Sequence, residues 1–117
     1  MAAYRMSNHR DLAVLDAADK VADEINQLID NAPRRLIHAT QLRDATQSIG
    51  ANISEGFGRG QDGERNRALR IARGEAEEAI QHLRANVASE RITQATFWRL
   101  RNRLITIIKM LTALLNR

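Results

Sequence analysis

At 117 residues the chain has room for one modest core and not for two, and the absence of cysteine excludes disulfides and thiolate metal sites. Hydrophobic residues make up 44% of it but aromatics only 3%, so the core has to be built from Leu, Ile, Val and Ala, a palette that favours helices. The net charge of +4 is uneven: residues 1–60 carry 7 basic and 8 acidic side chains, whereas residues 61–117 carry 11 basic and 6 acidic, which places the whole excess in the second half.

Residues 1–8 are expected to form a flexible N-terminal segment, with Asn8 as a helix N-cap and Asp11 in the first turn. A first helix follows to about Asp30. Its apolar seam of Val14, Ala18, Val21, Ile25 and Leu28 is spaced 4-3-4-3, as one helix face requires. Asn31, Ala32 and Pro33 break it, and Pro33 suits the first turn of a second helix running to about Glu55. The seam of that helix reads Leu42, Ala45, Ile49, Asn52, Gly56. The glycines at 56, 58, 60 and 63 are expected to end it, with Phe57 as an apolar anchor in the loop.

A third helix is expected from Asp62 or Glu64 to Ser89, on a seam of Leu69, Ala72, Ala76, Ala79/Ile80, Leu83 and Val87. Thr93 reads as the N-cap of a fourth, whose Phe97, Leu100, Leu104, Ile107/Ile108, Leu111 and Leu114/Leu115 give the strongest amphipathic pattern in the chain. Four helices of about 20 to 26 residues joined by short connections predict an all-α fold, an up-down-up-down antiparallel four-helix bundle forming one domain over residues 1–117.

No apolar run approaches the roughly 20 residues that span a bilayer. Met1 to His9 contain no apolar signal region, so the expected location is cytoplasmic, with no membrane partner.

Two helices carry more apolar or small surface than one core needs. On the third, Ile71, Gly74, Glu78, His82 and Ala85 cluster nearly opposite the seam. On the fourth, Trp98, Ile105 and Thr112 form a second stripe. Ile71, Gly74, Ala85, Trp98 and Ile105 are therefore candidates for contact with another subunit.

Arg70, Arg84 and Arg91 share one heptad position, with Arg73 beside them and Glu77 in the same row. This stripe reads either as a solvated face, part-neutralised by an Arg73–Glu77 pair at i,i+4, or as a surface that holds phosphates. Arg99 and Arg103 form another i,i+4 basic pair. No aromatic interleaves with the arginines to stack bases.

Catalytic chemistry finds little support. His9, His38 and His82 lie in three segments without metal-ligand spacing, and Glu78 to His82 permits one intrahelical contact. The glycine-rich stretch after Glu55 follows a helix instead of a strand and lacks a closing Gly-Lys-Ser/Thr, so it reads as a helix-ending turn and not a phosphate loop. No enzymatic activity, metal or cofactor is expected. Asn52, a lone polar residue in an apolar seam, is expected to fix helix register or to satisfy a carbonyl on a neighbouring helix.

Residues 41–59 resemble the signature of the four-helix-bundle family encoded in 23S rRNA intervening sequences, which also includes accessory proteins of diversity-generating retroelements. The match rests on Arg43, Ala45, Ser48, Ile49, Asn52, Ile53, Glu55, Gly56, Gly58 and Arg59, with Leu69, Arg70, Ala72, Gly74, Glu78 and Leu83 downstream. Arg43, Asn52, Glu55, Gly56 and Arg59 carry the motif as structural positions. Gly50 stands where the family usually has proline, Arg65 replaces an apolar aromatic, and Glu75 replaces a serine.

The resemblance implies a homopentamer of four-helix protomers without enzymatic activity. For the retroelement members it implies a basic assembly that engages RNA and a reverse transcriptase. The leading expectation is a non-catalytic oligomeric scaffold associated with RNA through Arg70, Arg73, Arg84 and Arg91. The alternative is a protein–protein adaptor that binds no nucleic acid.

Overall fold

The computed structural model describes residues 9–59 and 62–116; segment 1–8, the N-cap candidate Asn8 and Gly60 lie outside the described residues. Four helices follow in order, α1 (His9–Asn31), α2 (Ala39–Arg59), α3 (Asp62–Ala88) and α4 (Gln94–Leu115). Each packs closely on two others, α1 on α2 and α4, and α3 on α2 and α4, while the diagonal pairs stand farther apart across the shared core. That square of neighbours is the four-helix bundle the seams demand.

The seams of α1, α3 and α4 point inward as expected. Val14, Ala18, Val21, Ile25, Leu69, Ala72, Ala76, Leu83, Leu104 and Leu111 are all fully buried, while Leu28, Val87, Ile108 and Leu115 flank the core half-buried. Thr93 caps α4 as its sequence position suggests, its hydroxyl accepting from the Thr96 amide at 3.1 Å. At the end of α3, Glu90 adopts φ 57° while the Arg91 and Glu90 amides donate to the carbonyls of Asn86 and Val87. This pair of bonds is a Schellman ending built without glycine.

The second helix departs from expectation at both ends. It begins at Ala39 rather than Pro33, because His38 takes φ 55° and breaks the helical run. The backbone of Ile37 is instead held by a side chain from α3: Asn86 Oδ1 accepts from the Ile37 amide at 2.7 Å, and Asn86 Nδ2 donates to the Ile37 carbonyl at 3.0 Å. A loop whose polar groups are already satisfied has no need of helix hydrogen bonds. At its other end α2 continues through Gly56 and Gly58 to Arg59, and Phe57 is a buried helix residue, not a loop anchor. Nor does Asn52 occupy the seam. Ile53 fills that position, while half-buried Asn52 donates to the Ser48 carbonyl and hydroxyl of its own helix, both at 2.9 Å, and not to a neighbouring one.

Two glycines of α2 play opposite parts. A Cβ at Gly56 would lie 3.1 Å from both the Ala68 Cβ and the Arg65 carbonyl oxygen, so its bare backbone is what lets α3 approach. A Cβ at Gly50 would meet only the tip of the Asp19 side chain, at 2.9 Å, which can swing aside. Gly56→Ala should therefore destabilise the fold by about 1–3 kcal/mol through overpacking. Gly50→Ala should stabilise it by up to about 1 kcal/mol through helix propensity. Urea midpoints of the two variants moving the same way would contradict this assignment.

Candidate functional site

The outward surface of α3 separates into two flanks of opposite charge. Arg70, Arg73, Glu77 and Arg84 fall within about 60° of one another at 100° per residue. Arg73 shows which way they face, because its guanidinium donates to the Thr112 hydroxyl of α4 at 3.2 Å. On α4 the residues sharing the Thr112 flank are Trp98, Arg101 and Ile105, again within about 60°. The seam between α3 and α4 is thus bordered by the arginines of one helix and the apolar stripe of the other. Since the helices run antiparallel, Trp98 comes level with the stretch following Arg84.

That juxtaposition was not visible in the sequence, where no aromatic lies among the arginines of the third helix. The Trp98 ring is 51% exposed, stacked edge-on against Phe97 at 5.3 Å, with the Arg101 guanidinium 5.3 Å from its centroid. Arg70 and Arg84 are exposed, and neither makes a salt bridge to a described residue. The expected Arg73–Glu77 pair does not form, since Arg73 turns to α4. Arg91 lies beyond the end of α3, so it does not continue the stripe; its guanidinium donates to the Arg35 carbonyl and ties two loops together. Arg99 and Arg103 both pair with Glu24 of α1, and that pairing offsets their charge.

The opposite flank of α3 faces α2. Glu64, Ile71, Glu75, Glu78 and His82 share a sector of about 60°. Its first part forms a cleft of about 320 Å³ with α2, lined by Asn52, Glu55, Arg59, Glu64, Arg67 and Ile71. Here the motif residues of α2 meet. Arg59 donates to Glu55 at 2.9 Å and approaches Glu64 at 3.9 Å, so its charge is engaged, and both carboxylates raise its pKa. Burial, aided by Glu78, pushes the Glu75 carboxyl above the usual carboxylate range. His82 sits 4.0 Å from Glu78, its ring edge-on to His38 at 5.2 Å.

The remaining motif residues serve the fold. Arg43 bridges to α1, donating to Asn26 at 3.0 Å and Asp30 at 2.6 Å. Gly56 permits the α2–α3 contact. Of the subunit-contact candidates, Ile71 is 43% exposed, Ile105 and Ala85 are half-buried, and the Cβ position of exposed Gly74 meets nothing within 4 Å. Among the described residues no three His, Asp or Glu side chains are grouped as metal ligands, and no helix is long and apolar enough to cross a membrane.

A family model described as 23S rRNA-intervening sequence protein matches residues 10–113. Among solved structures, the chain is similar to a protein of unknown function from the S23 ribosomal protein family of Bacteroides thetaiotaomicron, determined at 1.70 Å resolution. The two share 26% identity with a TM-score of 0.87, over 92% of this chain and 99% of that one. No curated protein matches significantly.

Proposed function

The chain belongs to the 23S rRNA-intervening sequence protein family, and on that premise we propose that it is a non-catalytic helical scaffold that works as a homo-oligomer. The observation carrying this reading is the half-exposure of Ile71 and Trp98, at 43% and 51%, beside a core that is already filled. Large exposed apolar side chains mark contact sites, and here they stand on both sides of α3, Ile71 toward α2 and Trp98 on α4. The resemblance of residues 41–59 supports five subunits. The same resemblance, which implies a family without enzymatic activity, supports the absence of catalysis.

Native mass spectrometry at micromolar concentration is expected to show an assembly, with five copies as the dominant species. A monomer alone at that concentration would remove the scaffold reading.

A second reading is favoured by one specific feature, the exposed and unpaired Arg70 and Arg84 along the α4-side flank of α3, with Trp98 of α4 near its Arg84 end. Such a surface suits single-stranded RNA, with arginines on phosphates and the indole stacked on a base. Binding through about four phosphates would then fall with salt at a slope near −3 in log–log form. Fluorescence anisotropy on unstructured RNA at about 50 mM salt tests it. An absence of binding there leaves a protein-only adaptor.

A further inference from the structure

We infer that the two flanks of α3 are the two halves of one subunit contact, and that the partner of the Arg70–Arg84 flank is the Glu75–Glu78 flank of a second copy of this chain. This rests on the self-assembly reading and names the faces that meet. Among the described residues the α4-side flank carries Arg70, Arg73, Arg84 and Arg101 against a single carboxylate, Glu77. The α2-side flank carries Glu64, Glu75 and Glu78, and its one nearby unpaired base is Arg67.

The two flanks lie on opposite sides of one helix. Subunits standing side by side with parallel α3 helices therefore bring the basic flank of each onto the acidic flank of the next. A head-to-tail contact of this kind propagates in one rotational sense and closes into a ring when the angle permits. An isologous pair of basic flanks would set Arg70 and Arg84 against their own copies.

Apolar surface follows the same division. Trp98 and Ile105 border the basic flank, and Ile71 borders the acidic one. Exposed Gly74, with open space at its Cβ, lies between the flanks and does not obstruct a neighbour. Within one protomer Glu75 and Glu78 repel each other and the Glu75 carboxylate is partly desolvated. An arginine from the adjoining copy supplies the missing counter-charge, while exposed Arg70 and Arg84 gain partners they lack in the protomer.

The test uses charge reversal on the full chain, followed by sedimentation velocity, with helical circular dichroism melts confirming that each variant is folded. One variant carries Arg70→Glu and Arg84→Glu, the other Glu75→Arg and Glu78→Arg; Glu78→Arg alone serves if the half-buried Glu75 position does not accept arginine. Each variant alone should associate at least about tenfold more weakly than the parent, because like charges then meet at the contact. Mixing the two should restore association as one-to-one pairs and larger alternating complexes of even number, since each now complements the other; a ring of five cannot alternate without one like-charged junction and should not re-form.

Three results overturn the inference. They are an acidic-flank variant that assembles as the parent does, a mixture that recovers no association, and an arginine variant that loses RNA binding while remaining assembled. A parent chain that is itself monomeric defeats the self-assembly reading instead, and is distinguishable from all three.

Discussion

Replacing Asn86 by alanine should lower the stability of the fold by about 2–4 kcal/mol, at one to three for each buried polar group left without a partner. Asn86 is fully buried near the end of α3, and its amide makes three hydrogen bonds. Two of them hold the Ile37 amide and carbonyl, and the third, at 2.8 Å, goes to the His82 carbonyl of its own helix. The side chain thus pins the α1–α2 loop to the far side of the bundle and also stands in for the helix hydrogen bonds that Ile37 does not make. Alanine leaves both groups of Ile37 unpaired and opens a void beneath the loop.

Asn86→Asp should not rescue it. A carboxylate still accepts from the Ile37 amide, but it places negative charge against two carbonyl oxygens where the amide donated. Urea unfolding of both variants checks this, with the midpoint falling at unchanged slope. A midpoint within experimental error of the parent would mean that the loop is held by Leu36 packing alone.

Asn86 also shows where a one-dimensional reading stops. The seams of α1, α3 and α4 were legible because each runs through several turns with the apolar face intact, so the 3.6-residue period dominates. The start of α2 was not. Pro33 satisfies the local rule for a first helical turn, but the decisive interaction joins residues 49 positions apart, which no local rule contains. At Asn52 the period itself misled: Ile53, one residue on, lies within reach of the same face, and the larger apolar side chain takes the core. For Asn86 a signal did exist, since it lies between Leu83 and Val87 on the inward side of α3.

The interaction faces were legible only in halves. The arginine row on α3 and the Trp98–Ile105 stripe on α4 could each be drawn from helical spacing. That they border one seam depends on the antiparallel register fixed by Arg73 and Thr112. The loss of Arg91 from the row depends on where α3 ends, which the left-handed Glu90 decides. The motif residues Glu55 and Arg59 converge with Glu64 because α2 extends past its glycines instead of stopping at them.

Leu104→Ala is expected to be the most damaging single truncation in the core, at about 2–5 kcal/mol. Leu104 is fully buried midway along α4, on the same face as Leu100, Ile107 and Leu111, where that helix packs against both α1 and α3. The core around it is almost wholly aliphatic, with Phe57 and Phe97 the only buried aromatics among the described residues. Small aliphatic neighbours held on four rigid helices cannot swing into the space, so most of the cavity should persist and the cost should fall in the upper part of that range. Trp98→Ala provides the contrast. Half-exposed and outside the core, it should barely move the unfolding midpoint of the protomer yet weaken self-association. Thermal melts at low concentration and sedimentation at high concentration separate the two effects. If Trp98→Ala unfolds the protomer as severely as Leu104→Ala, the indole belongs to the core and the subunit contact must be sought elsewhere.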